Sequence, residues 1–323
     1  MAFCFGRVCL LVAAVLALCL VSVSGEGMST SDLGFYIVDV FAEEKWAGNQ
    51  LAVICDAAHL SGEQMQRIAN EMHFSETTFI LSNTPQNGGY PVRIFTPSSE
   101  VPFAGHPTLG TAYVIRHYIA KQELENVILN LKIGQIPVYF QKDSAGQEVL
   151  WMKQKLPTFG KTFPVPQLAQ VLQLSQDVFD TRYPIQEVST GLPFLIVPLK
   201  TLEAVKKAHV NFKCLLEIAS DIHGGILVFA PETYQKGNDL NVRGFVDFYG
   251  IPEDPATGSG NGCLAAYLSR YHYLSSGEVN VRVEQGYEVK RPSLLLLKAQ
   301  QVQNEIQVQV GGKVIPVATG KLL

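Results

Sequence analysis

The stretch Ile68-Ala69-Asn70-Glu71-Met72-His73, followed by the apolar run Phe79-Ile80-Leu81, recurs in related form 150 positions further along the chain. The second version reads Ile218-Ala219-Ser220-Asp221-Ile222-His223, and Leu227-Val228-Phe229 follows it. The matching segments keep the same order and a nearly constant spacing. This pattern indicates an internal duplication, and a period this long predicts two related halves rather than a solenoid of small repeats.

Further matches extend the duplication. At the same spacing, Val92-Arg93-Ile94-Phe95 corresponds to Val242-Arg243-Gly244-Phe245, and each segment leads towards a loop rich in Pro and Gly. We align the first loop, Gly105-His106-Pro107-Thr108-Leu109-Gly110, with the second, Asp254-Pro255-Ala256-Thr257-Gly258-Ser259. Each half is therefore predicted to carry one such loop between a strand and a helix.

Each half is predicted to be a mixed unit of strands and helices, so the fold class is α+β. The first strand is apolar, at 35–41 in one half and at 194–197 in the other. Pro107 suits the first turn of a helix that begins at the first loop, and an apolar stripe follows both loops. Short runs bounded by Gly and Pro predict a curved, largely antiparallel sheet around these helices, at 130–140, 279–289 and 306–310.

The two loops are candidates for holding an anion. The first turn of a helix presents unpaired N–H groups, which favour negatively charged oxygen atoms. If the two halves face each other, the loops at 105–110 and 254–259 converge on one cleft and can hold a carboxylate from both sides. The simpler interpretation, that each loop is an ordinary helix start, remains open for either loop taken alone.

Three side chains that the duplication did not preserve are candidates for acid and base chemistry. Glu76 precedes an apolar strand, where the second half has Gly224-Gly225-Ile226, and His106 and Asp254 stand in the two loops. A carboxylate that is partly desolvated in a closed cleft has a raised pKa, as proton transfer at carbon requires. Separately, each has a plainer role: a solvated glutamate, a histidine at a helix start and a helix cap.

Composition excludes several other functions. The formal charge is −4 without a basic run, which argues against a nucleic-acid partner. No Cys-x-x-Cys or paired-His spacing supports a zinc site, and the Gly258–Gly262 run lacks the pattern of a P-loop or a dinucleotide-binding loop. We therefore expect neither a metal nor an organic cofactor. Outside the first 25 residues, three cysteines remain, which do not form a disulfide framework: Cys55, Cys214 and Cys263.

Several motifs together resemble the phenazine-biosynthesis (PhzF-like) isomerase family, in order and spacing, from about residue 34 to residue 323. They are Gly48-Asn49-Gln50-Leu51-Ala52-Val53, Ser75-Glu76-Thr77-Thr78-Phe79, the continuous run from Arg93 to Gly110, Glu253-Asp254-Pro255-Ala256-Thr257-Gly258-Ser259, Gln285-Gly286, Arg291-Pro292-Ser293 and Val310-Gly311-Gly312-Lys313-Val314.

The resemblance implies a fold like that of diaminopimelate epimerase, with two pseudo-symmetric lobes. Each lobe is a curved, barrel-like sheet around a central helix, and the active site lies between them. On this basis we expect a first lobe at 34–140 with C-terminal strands at 295–323, and a second lobe at 150–290. The resemblance also implies a homodimer.

The resemblance also implies roles for individual residues. Glu76 would carry the proton, with His106, Asp254 and Ser259 around the substrate, and Gly105 and Gly258 would belong to its binding site. The two cysteines of the epimerases correspond to Gly105 and Asp254, which argues against thiol-based racemisation. The expected function is an isomerase that moves a proton on a small carboxylate such as a dihydro-hydroxyanthranilate. The alternative is a non-catalytic small-molecule-binding or scaffold protein of the same fold.

The first 25 residues have the pattern of a secretory leader. Arg7 precedes an apolar stretch from Val8 to Val23, which ends in small residues. The leader favours a secretory route, whereas the family resemblance and the odd cysteine count favour the cytoplasm. The sequence leaves the localisation open.

Overall fold

The computed structural model describes residues 33–218, 224–247 and 251–323. The leader at 1–25 and residues 219–223 of the second repeat lie outside the described residues. The strands are β1 (Leu33–Val40), β2 (Asn49–Ile54), β3 (Glu76–Ile80), β4 (Tyr90–Phe95), β5 (Glu100–Val101), β6 (Asn126–Leu131), β7 (Gly134–Lys142), β8 (Glu148–Lys153), β9 (Thr158–Phe163), β10 (Ile185–Ser189), β11 (Pro193–Pro198), β12 (Gly225–Ala230), β13 (Leu240–Val246), β14 (Ile251–Asp254), β15 (Val279–Gln285), β16 (Ser293–Val302), β17 (Glu305–Gly312) and β18 (Val314–Leu322). The α-helices are α1 (Gly62–Met72), α2 (Gly105–Val114), α3 (Val165–Leu172), α4 (Leu202–Lys207), α5 (Phe212–Glu217) and α6 (Gly258–Arg270).

The pairing of the strands repeats along the chain. Strands β1 to β4 pair successively as antiparallel, parallel and antiparallel neighbours, and β10 to β13 do the same. Strand β4 then runs parallel to β6 as β13 does to β15, and each series ends in an antiparallel meander, β6–β7–β8 or β15–β16–β17. Both halves therefore have the same topology, as the duplication predicts.

One expected correspondence is wrong. The apolar run at 194–197 lies in β11, which runs parallel to β12 as β2 runs parallel to β3. Its counterpart in the first half is therefore β2, and the counterpart of β1 is β10 (Ile185–Ser189). The apolar pattern misleads here because β10 reads Ile-Gln-Glu-Val-Ser, with polar residues at three of its five positions.

The register also corrects the alignment of the two loops. Glu100-Val101-Pro102 precedes Gly105 as Glu253-Asp254-Pro255 precedes Gly258, at a spacing of 153 residues. Helices α2 and α6 begin at these two glycines. His106 therefore corresponds to Ser259, and Asp254 corresponds to Val101. The earlier alignment of Gly105 with Asp254 followed the Pro/Gly pattern and missed this shift.

A buried helix lies at the centre of each half. Helix α2 packs against β1, β2, β3, β6, β7, β8 and β18, and α6 packs against β10, β11, β12, β15, β16 and β17. All residues of α2 except Tyr113 and all residues of α6 except Arg270 are buried. A helix that is buried all round needs small residues where a strand approaches closely. At Gly110 a Cβ would lie 2.6 Å from the Leu51 side chain. The expected α+β fold, with a curved sheet around a central helix, is confirmed.

Two strands cross between the halves. Strand β18 pairs with β1 and closes the sheet of the first half, whereas β9 pairs with β10 and closes that of the second. Strand β8 pairs with β17 and joins the two sheets. The expected lobes at 34–140 with 295–323, and at 150–290, remain a proposal. The contacts put β18 beside α2 but β16 and β17 beside α6, so residues 293–312 pack with the second half.

Within the described residues, no helix is long and apolar enough to cross a bilayer.

Candidate active site

The N-termini of the two central helices touch each other. A Cβ built on Gly105 would lie 3.2 Å from both the Cα atom of Gly258 and the backbone nitrogen of Ser259. A Cβ on Gly258 would lie 3.4 Å from the Cα atom of Gly105. A side chain at Gly105 would therefore push the two helix starts apart by a few tenths of an ångström, so glycine suits this close approach. Their first turns point unpaired N–H groups and the positive ends of both helix dipoles towards one place.

A cavity of about 170 Å³ lies at this meeting point. The six residues predicted to form the site all line it: Glu76, Gly105, His106, Asp254, Gly258 and Ser259. The remaining wall is mainly apolar, with Val101, Pro102, Phe103, Ala104, Leu192, Phe194 and Val246 beside Thr96 and Thr257. The described lining contains neither Lys nor Arg. An anion in this cavity would therefore depend on backbone N–H groups and on uncharged side-chain donors such as Ser259 for its stabilisation.

Glu76 and His106 lie next to each other in the wall of the cavity. Glu76, the first residue of β3, has its Oε2 atom 3.4 Å from Nε2 of His106, and the side chains are 16% and 5% exposed. Neither atom has a hydrogen-bond partner, although both are buried. A buried polar group without a partner costs stability, and such a cost is often retained where a ligand supplies the missing partner. Both residues line the cavity, and the fold leaves the hydrogen-bonding capacity of these two atoms unused.

The electrostatics make this pair uncharged near neutral pH. Burial, with a smaller contribution from the nearby Asp254 carboxylate, raises the pKa of Glu76 to about 8. Burial lowers the pKa of His106 to about 3, against a hydrogen bond with the backbone of Gln50 that favours the protonated ring. The 3.4 Å distance lies within ion-pair range, but these shifts leave a protonated carboxyl beside a neutral imidazole. Glu76 can therefore exchange its proton close to physiological pH.

Asp254 is held more firmly than Glu76. Asn49 Nδ2 donates to its Oδ1 atom at 2.7 Å, and Thr257 Oγ1 donates to its Oδ2 atom at 2.8 Å. Burial raises the pKa of Asp254 to about 6, while hydrogen bonds from Thr257, Asn49 and Ser75 oppose the rise. The two carboxyl groups of the cavity thus have different acidities, and Asp254 loses its proton first.

Sequence reasoning missed Asn49, which connects the two halves. Its amide nitrogen also lies 3.1 Å from the carbonyl oxygen of Ala256 and 3.3 Å from Nδ1 of His106. Asn49 is the first residue of β2 and only 1% exposed. One amide thus contacts both loops. Asn49 belongs to the Gly48–Val53 motif, one of those that carry the family resemblance. That motif was the sequence feature from which its role could have been predicted.

Gln285, at the end of β15, was missed as well. Its Nε2 atom donates to the carbonyl oxygen of Asp254 and to Thr257 Oγ1, both at 2.8 Å. Its Oε1 atom accepts from the backbone N–H of Thr257 at 3.1 Å and from Asn261 Nδ2 at 2.9 Å. The fully buried amide has all four of its hydrogen bonds satisfied, and it fixes the backbone that carries Asp254.

No thiol lines the cavity among the described residues. The Cys263 thiol is buried against Thr190 Oγ1 and the carbonyl oxygen of Leu192, and burial raises its pKa to about 12. A thiol with such a pKa is a poor proton acceptor near neutral pH. The described residues also contain no cluster of three or more His, Cys, Asp or Glu side chains that could hold a metal ion.

Comparison with known proteins gives the family. The model of the family described as phenazine biosynthesis-like protein matches residues 38–320. This chain belongs to the PhzF family. The trans-2,3-dihydro-3-hydroxyanthranilate isomerase of Pseudomonas aeruginosa is 33% identical over 288 residues, which cover 89% of this PhzF-family chain and 98% of that protein.

Solved structures agree with this assignment. A PhzF-family phenazine biosynthesis protein of Bacillus anthracis superposes with a TM-score of 0.84 at 28% identity, covering 90% of this PhzF-family chain and 99% of the other. A probable proline racemase of Agrobacterium radiobacter has a TM-score of 0.58 at 9% identity, covering 90% and 93%, and shares the fold alone. The protein is an isomerase of the PhzF family.

Proposed function

We propose that this protein is a cofactor-independent isomerase that moves a proton between two carbon atoms of a small cyclic carboxylate, with Glu76 as the group that carries the proton. The observation that supports this most directly is the pair of unpartnered atoms, Glu76 Oε2 and His106 Nε2, beside a mainly apolar cavity. The P. aeruginosa relative named trans-2,3-dihydro-3-hydroxyanthranilate isomerase indicates the class of substrate.

The substrate carboxylate would lie against the starts of α2 and α6. The N–H groups there, at Gly105, Gly258 and Ser259, can donate to its oxygen atoms, and two helix dipoles favour its charge. The apolar wall, with Phe103, would enclose the ring and exclude water. Exclusion of water strengthens each of these interactions and prevents proton loss to solvent.

Proton transfer would start from the ionised form of Glu76. With a pKa of about 8, about a tenth of the side chains are ionised at pH 7. The carboxylate takes the proton from one carbon atom, the electron pair of that C–H bond shifts into the conjugated system, and the new carboxylic acid returns the proton at another carbon. Asp254 and His106 would orient the polar groups of the substrate. Since one residue takes and returns the proton, the net reaction consumes nothing else.

The homodimer expected from the family resemblance is also part of this proposal. Analytical ultracentrifugation at several concentrations tests it, and a monomer at all of them would refute it.

Solvent exchange tests the proposed chemistry. The protein is incubated with trans-2,3-dihydro-3-hydroxyanthranilate in deuterated water, and NMR follows isomerisation and deuterium at carbon. We expect Glu76→Gln to abolish both, because the amide keeps the shape of the side chain and cannot take the proton. Glu44→Gln, on an exposed side chain, is the matched control.

Retention of activity in Glu76→Gln within about tenfold, some 1.4 kcal/mol of barrier, would remove Glu76 from its role. If the wild-type protein binds this compound without turnover or exchange, the alternative of a non-catalytic binding protein holds for this substrate class. A wider screen of small carboxylates for exchange that depends on Glu76 then decides between a different substrate and no reaction.

A further inference from the structure

The two hairpins that lead to the cavity carry the same ion pair. On β4, Arg93 Nε and Nη2 donate to the two carboxylate oxygens of Glu100, each at 2.8 Å. On β13, Arg243 Nε and Nη2 donate to those of Glu253 at 2.9 and 2.8 Å. Each guanidinium also lies over the ring of the residue two positions on, 5.0 Å from the centroid for Phe95 and 4.9 Å for Phe245. The duplication has thus kept the same arrangement in both halves: an arginine that pairs with a glutamate and lies over an aromatic ring. We call this arrangement a brace.

The brace of the second half is more deeply buried. The side chains of Arg243 and Glu253 are 5% and 12% exposed, against 29% and 15% for Arg93 and Glu100. Nη1 of Arg243 also donates to three carbonyl oxygens at the end of α4, those of Val205, Lys206 and Ala208, at 3.1, 3.0 and 2.6 Å. A buried, bidentate pair with these additional bonds is a rigid element, unlike an ion pair on the surface.

The residue next to each brace differs between the halves. Glu100 precedes Val101, whereas Glu253 precedes Asp254, and both following residues line the cavity. Successive side chains of a strand point to opposite faces. Glu253 therefore faces Arg243 on one side of β14, while Asp254 faces the cavity on the other. A shift of Glu253, or an uncompensated charge on it, acts directly on Asp254.

We propose that the ion pair between Arg243 and Glu253 is a positioning device for Asp254, which keeps its carboxyl group in place and neutralises the negative charge beside it. This inference rests on the proposed role of Asp254 in the active site. In the equivalent pair, Arg93 with Glu100, the residue that follows the glutamate is Val101, which carries no charge. That pair therefore has no carboxylate to position and only stabilises its hairpin.

Several charged or titratable groups surround Asp254. Within the described residues, Glu76 approaches from β3 and His106 from α2, while Glu253 lies beside it on β14. Burial is the main cause of the raised pKa of Asp254, and the negative charge of Glu253 adds a smaller contribution in the same direction. Behind Glu253, Arg243 lies 3.9 Å from Glu288 as well, so a second carboxylate shares its positive charge. Loss of Arg243 would therefore leave excess negative charge near Asp254, whereas loss of Glu253 would remove the negative charge beside it and leave Arg243 paired with Glu288.

The titration of Asp254 tests this directly, without a substrate. The protein is labelled at the aspartate carboxyl carbons with ¹³C, and the signal of Asp254 is identified by its absence in Asp254→Asn. We expect Glu253→Gln to lower the titration midpoint of Asp254 by about half a pH unit or more, and Arg243→Met to raise it. The double variant Arg243→Met/Glu253→Gln should return it towards the wild-type value. The matched variants Glu100→Gln and Arg93→Met/Glu100→Gln should leave it unchanged.

A purely structural brace would give another result. Melting temperatures would fall, but the Asp254 midpoint in Glu253→Gln would equal that of the wild type, and this outcome overturns the proposal. Equal shifts from Glu253→Gln and Glu100→Gln would overturn it too. Arg243→Met removes the donor to three buried carbonyl groups and can prevent folding. In that case Glu253→Gln, which keeps the arginine, decides alone.

The outcome is distinguishable from a failure of the proposed function. The midpoint of Asp254 is a property of the protein without substrate, whereas the proposed function fails if Glu76→Gln remains active. In the active enzyme, the same variants should shift the pH profile of kcat/KM in the same directions as the NMR midpoint.

Discussion

Replacing Glu76 with glutamine is expected to change how the free energy of unfolding depends on pH. In the unfolded chain, a glutamate ionises near its ordinary pKa of 4.5, whereas in the folded protein burial raises the pKa of Glu76 to about 8. Between these values the folded state holds a proton that the unfolded state has released. Raising the pH therefore favours unfolding, and the wild-type protein loses stability from about pH 4.5 to about pH 8. Glutamine has no such proton.

The size of the effect follows from the shift. One pH unit within this window changes the free energy of unfolding by about 1.4 kcal/mol for one proton. From pH 5 to pH 7, Glu76→Gln should therefore gain about 2–3 kcal/mol relative to the wild type. Below pH 4.5 both states of the wild-type chain are protonated, so the two proteins should differ little in their pH dependence. Above about pH 8 the difference should level off.

Urea unfolding at 25 °C, measured at pH 5, 6, 7 and 8, checks this expectation through the midpoint and the slope of each transition. The control is Glu44→Gln, in which the changed side chain lies on the surface. If the curves for the wild type and Glu76→Gln stay parallel from pH 5 to pH 8, Glu76 ionises in the fold as it does in the unfolded chain. The argument for an acid and base of near-neutral pKa would then be wrong.

Three further changes address the surroundings of Glu76. Asp254→Ala should lower turnover by roughly a hundredfold or more if Asp254 orients the substrate; if it only accepts the hydrogen bonds of Asn49 and Thr257, melting should instead show a loss of about 1–3 kcal/mol with turnover unchanged. Asn49→Ala should destabilise the fold by about 1–3 kcal/mol in urea titrations, since Asp254 Oδ1 and the carbonyl oxygen of Ala256 lose their donor. Asn49→Asp, which places a second carboxylate beside Asp254, should be destabilised at least as much. Gly105→Ala should cost about 1–3 kcal/mol, because the new Cβ would lie 3.2 Å from backbone atoms of Gly258 and Ser259 and the two helix starts would have to separate. Gly34→Ala, whose Cβ meets nothing within 4 Å, is the control, and equal melting temperatures would refute the tight contact.

Features with a local signature could be read from the sequence. The Pro/Gly loops indicated where α2 and α6 begin. The unshared acidic residues pointed to Glu76 and Asp254, which line one cavity and whose catalytic roles stay a prediction. Strand β10 was missed because its short, mostly polar sequence lacks an apolar pattern. The tie between Asn49 and Asp254 joins residues 205 positions apart, and a neutral amide has no chemical signature of its own. Such contacts arise when the two halves pack together, and a local sequence pattern cannot predict them.

The crossing of β9 and β18 has a consequence for the order of segments along the chain. Leu33 and Leu322 are paired neighbours in β1 and β18, so a linker of a few residues could join them. A circular permutant that begins at Thr158 would then encode β9 to β17 as one uninterrupted segment and β18 followed by β1 to β8 as another. Each segment would contain a complete sheet and its central helix. Their expression as separate chains would turn the contact between Gly105 and Gly258 into an interface between two molecules.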